Sequence, residues 1–270
     1  MGKGPLTIHG NRRLLAREHT AVAMLVIFGV LLIGTSILGY RHLYKRRRIA
    51  TVTSTCILTL SLLRIALASM ELHLDPLDTR RPRREQDFAT LDAVALIPVM
   101  LMLLSHLFDY VHWSSIKYEE DLYENIKRWQ LAALVAFGTV ATIFYLAGCI
   151  VAFQVNRSIP QVLQTATILY VVMVLLILAG AVRLPMRSKA DRAKVLAVIG
   201  GIVTVRLVWA VASAWSVDSR KSRFTPYRTT AAGAWTHLGV VLVMEFLISV
   251  MCSWFGGNEE SMKEAQREKL

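Results

Sequence analysis

The segment TAVAMLVIFGVLLIGTSILGY, residues 20–40, runs for 21 residues without a charged side chain. A helix of about 20 apolar residues crosses the hydrocarbon core of a bilayer, which is roughly 30 Å thick. The segment therefore predicts a transmembrane helix. Six further windows of similar composition follow, each bounded by charged residues, proline or a polar cluster. They lie at about 49–72, 89–113, 129–153, 161–182, 195–217 and 232–255.

Short connectors join these windows, so we predict one all-α domain over residues 1–255, a seven-transmembrane-helix bundle. The windows are spans one to seven, and their connectors are loops one to six. The charged tail at 256–270 is expected to be a frayed helix or disordered. A β-barrel would instead show alternating polarity over segments of about ten residues.

The composition agrees with a membrane protein. Of the 270 residues, 54% are hydrophobic, and the mean hydropathy is +0.46. The net charge is +12, but Lys and Arg cluster between the apolar runs, which is typical of membrane proteins and excludes nucleic acid as the expected partner. Cys56, Cys149 and Cys252 fall within apolar runs, so we expect small buried hydrophobes rather than a disulfide framework or a zinc site.

The distribution of basic residues predicts the orientation. Loops one, three and five and the tail carry 16 Lys and Arg, against 13 on the other side. Because basic residues are enriched on the cytosolic side, we expect a lumenal N-terminus and a cytosolic C-terminus in the endoplasmic reticulum. The polar N-terminal segment has no small-residue cleavage site, so no cleaved signal peptide is expected.

Ionisable side chains lie inside several spans. Each costs at least ~2.5–3.5 kcal/mol there and is a functional candidate by default. They concentrate in spans two, three, six and seven, which indicates a polar cavity between these helices. The residues are Arg64, Glu71, Asp92, His106, Asp109, Arg206, His237 and Glu245.

Some of these positions also have simpler explanations. Glu71 is near the end of span two, within reach of the headgroups, and Asp92 is early enough in span three to interact with a helix dipole. Asp109 fits an interfacial belt at the end of that span, and His106 is placed to hydrogen-bond to it. Pro98, inside span three, predicts a kink.

Arg206 and Glu245 are the deepest charges, where snorkelling to the interface is hardest. We expect Arg64 and Arg206 each to meet a carboxylate or several backbone carbonyls inside the bundle, because a guanidinium that faces lipid costs too much. The pairing stays open. Glu71 lies two turns after Arg64 on the same helix face, and Glu245 is the other deep carboxylate.

Motifs that hold a metal or a cofactor are absent from the sequence. There is no DDxxD cluster, P-loop, HExxH or dinucleotide fingerprint. His106 and His237 are the only histidines placed to ligate a transmembrane haem, and we discount that role. No metal and no cofactor is therefore expected.

The short-looped spans, together with RLVWAVAS at 206–213 and VMEFLISV at 243–250, resemble fungal seven-helix integral membrane proteins. One branch of that group comprises the membrane-bound terpene cyclases of meroterpenoid biosynthesis, of the ascofuranone and macrophorin type. Another branch comprises lipid-translocating exporters. The exporters carry an Arg-aromatic-Arg–Glu pattern in span six. Span six of this chain has one Arg and no Glu, which departs from that pattern and favours the cyclase.

The resemblance implies a metal-independent cyclase of secondary metabolism, an isomerase or lyase. Its substrate would be a lipophilic prenylated molecule, a farnesyl chain on an aromatic or polyketide core, that enters from membrane lipid. A buried carboxylic acid would protonate an epoxide or olefin, and aromatic faces would stabilise the carbocation.

Residue roles follow from that mechanism. Glu245 is the expected acid, and Asp92, Asp109 and Glu71 are the other catalytic candidates. The expected substrate-binding and cation-stabilising residues are Arg206, Arg64, Trp209, Tyr145, Trp235 and His106.

A neighbouring guanidinium conflicts with the acid role, because it favours the ionised carboxylate. If Arg206 contacts Glu245, that residue is a base or a fixed partner, and the acid is Asp92 or Asp109. The alternative function is a lipid or drug transporter or a receptor-like protein, in which the buried charges form a gate or lock. The substrate, the ring pattern and the oligomeric state are not predicted.

Overall fold

The computed structural model describes residues 8–44, 48–73, 81–118, 128–155, 160–183, 191–216, 224 and 231–256. Within these ranges every element is a helix or a turn, and no strand is present. Seven stretches are long and apolar enough to cross a membrane. They are Ala16–Tyr40, Ala50–Leu72, Glu85–Phe108, Ala132–Phe153, Gln161–Ala179, Lys194–Trp215 and Ala232–Trp254. The predicted all-α, seven-helix bundle of a multi-pass membrane protein is confirmed.

The helices extend beyond the predicted spans at several ends. They are α1 (Ile8–Tyr44), α2 (Arg48–Leu72), α3 (Arg81–Val94), α4 (Leu96–Tyr118), α5 (Arg128–Ile150), α6 (Gln161–Arg183), α7 (Asp191–Trp215), α8 (Ala231–His237) and α9 (Val243–Gly256). Two π-helical turns are also present: Val151–Val155 follows α5, and Leu238–Leu242 joins α8 to α9. The predicted tail beyond Gly256 lies outside the described residues.

Span three is the most enclosed span and span one the most peripheral. In its most apolar stretch 61% of span three is buried, against 22% of span one. Helix α1 packs along α2, and an exposed row of apolar side chains follows its length. The row consists of Val22, Val26, Val30, Ile33 and Ile37. Their spacing of three or four residues places them on one helix face, which is the face toward lipid.

Helices α5 and α6 approach each other closely at a glycine. A Cβ atom added to Gly148 would lie 2.8 Å from the Leu163 Cα atom. Small residues at helix interfaces let transmembrane helices pack backbone against backbone. A side chain at position 148 would push the two helices apart.

Pro98 interrupts span three, as the sequence predicts. The span divides into α3 and α4 at Ala95, a turn residue whose N–H donates to the Leu91 carbonyl at 3.1 Å. Proline has no N–H to donate to the carbonyl of Val94, four residues earlier, and its ring crowds that carbonyl. The break falls three residues after Asp92.

The π-helical turn Leu238–Leu242 changes which residues of span seven share a face. The Val243 N–H donates to the Leu238 carbonyl, five residues back. In a regular α-helix the eight residues from His237 to Glu245 make about 2.2 turns, so the two side chains would diverge by about 80°. A π turn takes up about one extra residue. Eight residues then complete about two turns, and both side chains point the same way.

Candidate functional site

Arg64 and Glu245 form a fork-to-fork ion pair between spans two and seven. The Arg64 Nε atom donates to Glu245 Oε2 at 2.7 Å, and its Nη2 atom donates to Oε1 at 2.5 Å. Both residues have no exposed surface. The planar guanidinium matches the two carboxylate oxygens, which makes this geometry the strongest kind of side-chain ion pair.

Arg206 of span six binds the same carboxylate. Its Nε atom donates to Glu245 Oε1 at 2.9 Å. Glu245 therefore accepts three hydrogen bonds from two arginines on two other spans. The prediction that both arginines meet a carboxylate inside the bundle is confirmed.

A third nitrogen of Arg64 extends the contact to span three. The Arg64 Nη1 atom donates to Asp92 Oδ1. The Nε2 atom of His237 lies 2.9 Å from Asp92 Oδ1 and 3.1 Å from Oδ2. An ionised carboxylate only accepts hydrogen bonds, so beside ionised Asp92 the His237 tautomer that fits is the one with the proton on Nε2. The five residues Arg64, Asp92, Arg206, His237 and Glu245 form the charge network.

The charge network is enclosed and electrically balanced. None of its five residues exposes more than 4% of its surface. Among these five residues two guanidiniums face two carboxylates, so the charges of the five sum to zero when His237 is neutral. The charge sum matters inside the bundle, because an uncompensated charge in a low-dielectric interior costs several kcal/mol.

Two aromatic side chains expected at the site lie beside the charge network. The Trp209 ring meets the His237 ring edge-on, with the centroids 5.7 Å apart and the planes at 74°. Tyr145 of α5 is buried and interacts electrostatically with Arg206 and Asp92. Its ring packs against Tyr170 of α6, with a centroid separation of 4.9 Å. Spans four and six thus line the network with aromatic groups.

The third expected aromatic residue, Trp235, lies elsewhere. Half of its surface is exposed, and its ring stacks on His19 with a centroid separation of 6.4 Å. Trp235 is therefore not placed beside the charge network as expected. The orientation differs because Trp235 precedes His237 by two positions, which places it on another face of α8.

Glu71 does not contact Arg64, although the two share a helix. It accepts a hydrogen bond from Arg17 Nε at 2.9 Å, and Arg17 Nη1 lies 4.0 Å from Glu85 Oε1. The Glu71 side chain is fully buried, so it does not reach for the headgroups. These contacts of Arg17 form a second ion-pair group, which links α1, α2 and α3. The group lies about two helical turns along α2 from Arg64.

His106 and Asp109 lie further along span three. His106 is buried on α4, fourteen residues after Asp92, and belongs to neither ion-pair group. The side chain of Asp109 lies outside the described residues, and so does its expected hydrogen bond with His106.

His237 and Arg17 belong to the ion-pair groups although their positions in the sequence do not indicate it. Position 237 lies early in span seven, and only the π-helical turn gives it the direction of Glu245. Arg17 precedes the uncharged run that begins at Thr20, so it counts as a loop residue by composition. Burying it requires α1 to start before the apolar segment, which the described helix Ile8–Tyr44 does.

Metal ligation does not account for the clustered side chains. Over the described parts of the chain, no three His, Cys, Asp or Glu side chains are grouped so as to hold a metal ion. Each carboxylate of the charge network has an arginine within hydrogen-bond distance instead.

Comparisons with known proteins place the chain in a family without assigning an activity. No curated protein and no solved structure matches it. The family model described as "Domain of unknown function (DUF7702)" matches residues 14–261, which include all seven spans and both ion-pair groups. The chain therefore belongs to the DUF7702 family.

Proposed function

We propose that this protein is a seven-helix transporter or receptor-like protein for lipophilic molecules, in which the charge network is an ionic lock. The supporting observation is the position of Glu245, whose carboxylate is shared by arginines of spans two and six. Through Arg64 the same lock reaches Asp92 of span three. The four spans cannot move apart unless these hydrogen bonds are exchanged or released.

Stability alone does not explain why these charges are buried. Replacing a buried ion pair by apolar side chains is often neutral, or stabilising by about 1–4 kcal/mol. Ionisable groups inside a membrane instead mark pathways, relays and gates. A lock made of hydrogen-bonded ions has discrete alternative pairings, which a packed apolar contact lacks.

Irregular backbone borders the charge network on two sides. This irregularity supports the proposal that parts of spans three and seven move. Span three breaks at Ala95, just after Asp92, and span seven has its π-helical turn directly after His237. Secondary transporters build their binding sites near the bilayer midplane from interrupted helices of this kind. A π turn needs only a one-residue shift of its hydrogen bonds to become an α turn.

We also propose the cellular location and the orientation of the chain. The protein spans the endoplasmic reticulum membrane, with its N-terminus in the lumen and its C-terminus in the cytosol. The excess of Lys and Arg in loops one, three and five supports this orientation. The Arg17–Glu71 pair then lies toward the lumenal side.

A native cysteine provides the test of the lock. Cys252 follows Glu245 by two helical turns on the same face and is fully buried. In a background with Cys56 and Cys149 replaced by alanine, we expect Asp92→Asn to increase maleimide labelling of Cys252 in membranes several-fold. The substitution keeps the shape of the side chain but weakens its bonds to Arg64 and His237. Glu71→Gln, which alters the separate ion pair, is the matched control and leaves labelling unchanged.

A second cysteine separates lock opening from unfolding. Ala166 is fully buried on α6, and Ala166→Cys in a background without native cysteines reports general loss of packing. Opening of the lock raises labelling at position 252 and leaves position 166 protected. Equal labelling of Cys252 in Asp92→Asn and in the unmutated background would refute the lock.

The transport activity has its own readout. Full-length protein in liposomes should speed the movement of NBD-labelled phosphatidylcholine between leaflets, measured as additional fluorescence loss after dithionite. Asp92→Asn should change that rate. A rate equal to that of protein-free liposomes would rule out lipid transport and leave a receptor-like role.

The terpene cyclase is the second candidate, and the Asp92–His237–Trp209 arrangement favours it. A proton-carrying imidazole sits between a carboxylate and an aromatic ring, which suits proton transfer beside a stabilised cation. Glu245 and Glu71 fit the acid role poorly, because each is held by arginine. Asp109 would then be the acid, with the Asp92–His237 pair as the base.

The cyclase is tested with microsomes and a prenylated, epoxidised aromatic substrate, and the products are read by mass spectrometry. Asp109→Asn should reduce cyclised product by at least ~10²-fold, the usual scale for a general acid. Full activity in Asp109→Asn, Asp92→Asn and Glu245→Gln would eliminate protonation by these residues.

A further inference from the structure

Spans two and six carry their buried arginines in the same way. Arg64 lies eight residues before the end of span two at Leu72, and Arg206 lies nine residues before the end of span six at Trp215. Each donates from its Nε atom to Glu245. An Ala-Ser pair follows each arginine, in LLRIALASM at 62–70 and in VRLVWAVAS at 205–213. Because four crossings separate the two spans, they run in the same direction through the membrane.

Spans three and seven, which follow the two arginine spans, are also alike. Each is interrupted in its first half, span three by the turn between α3 and α4, and span seven by its π-helical turn. Each places a carboxylate on the arginine of the preceding span, Asp92 on Arg64 and Glu245 on Arg206. Spans one to three and spans five to seven therefore repeat one order, in which an arginine span is followed by an interrupted span with its carboxylate partner.

The packing of the helices follows the same repeat. Span two packs on spans one and three, and span six packs on spans five and seven. Across the bundle, the contact of span two with span seven is matched by that of span six with span three, and the contact of span one with span seven by that of span five with span three. Span four packs on spans three and five and connects the two sets. Parallel repeats of this kind are related by an axis along the membrane normal.

Hydrogen bonds outside the charge network tie each set of three helices together. In the first set the Thr53 and Ser105 hydroxyl oxygens lie 3.0 Å apart, which joins span two to span three, and the second ion-pair group links all three spans. In the second set the Gln164 Nε2 atom donates to the Ala214 carbonyl at 3.4 Å, which joins span five to span six. These bonds stabilise the sets independently of the charge network.

The charge network lies where the two sets meet. Arg64 of span two binds Glu245 of span seven, and the His237 Nε2 atom of span seven lies 2.9 Å from Asp92 Oδ1 of span three. In transporters built from repeats, substrates and coupling ions bind at the interface between the repeats, and one repeat rocks against the other around that site. The hydrogen bonds that such a movement has to release are the ones that join the two sets.

We infer that spans one to three and spans five to seven are two three-helix units, unit one and unit two, and that the lock opens by movement of unit two against unit one. The inference rests on the proposed function, because it names the parts that move when the ionic lock opens. The bonds of Arg64 to Glu245 and of Asp92 to His237 are released, while the packing inside each unit is kept. The irregular turns of spans three and seven lie at this interface, where they can absorb the movement.

The test measures distances between pairs of spin labels by pulsed electron paramagnetic resonance, with the full chain in nanodiscs. The native cysteines are replaced by alanine, and the labels are attached to cysteines introduced at exposed positions of the spans. The pairs are Val30→Cys with Leu101→Cys inside unit one, Leu175→Cys with Val250→Cys inside unit two, and Leu62→Cys with Val208→Cys between the units.

Asp92→Asn should shift the mean distance between positions 62 and 208 by about 2 Å or more, the scale of a domain rearrangement. Both distances inside the units should stay unchanged. His237→Phe keeps a ring beside Trp209 but has no nitrogen for Asp92, so it should shift the same distance in the same direction. Glu71→Gln is the matched control, because its ion pair lies inside unit one, and it should leave the distance between the units unchanged.

Two outcomes would overturn the two-unit inference. One is a shift inside either unit as large as the shift between the units. The other is an unchanged distance between positions 62 and 208 in both Asp92→Asn and His237→Phe.

The lock and the two units fail separately. Increased Cys252 labelling in Asp92→Asn, without a shift between the units, would keep the lock and remove the movement of the units. A shift between the units in Asp92→Asn, with Cys252 labelling unaltered, would keep the movement of the units and remove the lock.

Discussion

Arg64 and Glu245 are 181 residues apart in the chain and share two hydrogen bonds of 2.5 and 2.7 Å at the centre of the bundle. The contact joins span two to span seven across a fully buried interface. Arg206 binds the same carboxylate, so the Glu245 side chain of span seven pairs with one guanidinium from span two and one from span six.

Glu245→Gln removes the carboxylate that Arg64 and Arg206 share. Breaking a buried ion pair from one side typically costs about 3–5 kcal/mol, because a charge is left without compensation. We expect a clear fall in the free energy of unfolding in detergent micelles, and Glu245→Asp should recover part of it. A Glu245→Gln protein as stable as the unmutated chain would mean that the arginines find other acceptors.

The Arg17–Glu71 pair should behave as an independent unit. A double-mutant cycle with Arg17→Gln and Glu71→Gln is expected to give a coupling energy of about 0.5–3 kcal/mol, as for residues in direct contact. The cycle of Glu71→Gln with Arg64→Gln should give a value near zero, because Glu71 and Arg64 do not touch. A larger coupling in the second cycle would contradict the observed pairing.

Deleting Gly239 should convert the π-helical turn to regular α-helix. Seven α-helical residues would then separate His237 from Glu245 and turn by about 700°, close to two full turns, so the deletion keeps His237 on the face of Glu245. We therefore expect a smaller fall in the unfolding temperature than Glu245→Gln causes, and a fall as large would contradict the extra-residue account of the π-helical turn. Gly239→Ala keeps the residue count and meets open space, so it is the control that should be tolerated.

Gly148→Ala and Gly201→Ala form a matched pair of helix substitutions. Alanine is favoured over glycine in a helix by about 0.8–1.0 kcal/mol. At position 201 nothing lies within 4 Å of the added Cβ, so stability should rise or hold. At position 148 the Cβ meets the backbone of Leu163, so the unfolding temperature should fall. The same change at both positions would refute the close packing of α5 and α6.

The orientation is tested by an epitope tag in loop five, between spans five and six. In sealed microsomes the tag should be cleaved by added protease without detergent, because the loop is expected to face the cytosol. A tag that is cleaved only after the membrane is permeabilised would reverse the orientation.

The sequence by itself determined the class of the fold and the residues that must be accommodated inside it. Seven uncharged or nearly uncharged runs of about 20 residues can satisfy their backbone groups in lipid only as helices, so the spans follow from local composition. The cost of ionisable groups in the membrane identified Arg64, Asp92, Arg206 and Glu245 as candidates. The periodicity of the α-helix placed Arg64 and Glu71 on one face of span two, but it did not predict which residues pair with them.

Only the tertiary structure decided the pairing. Arg64 selects Glu245 and Asp92 over Glu71 because α1 brings Arg17 to Glu71, and a helix face cannot predict which neighbour packs against it. His237 joins the charge network because one π-helical turn shifts the phase of span seven, a change too small to leave a signal in composition. Hydrogen bonds between residues 28, 39, 145 and 181 positions apart depend on how seven helices pack, and helix packing is a property of the whole bundle.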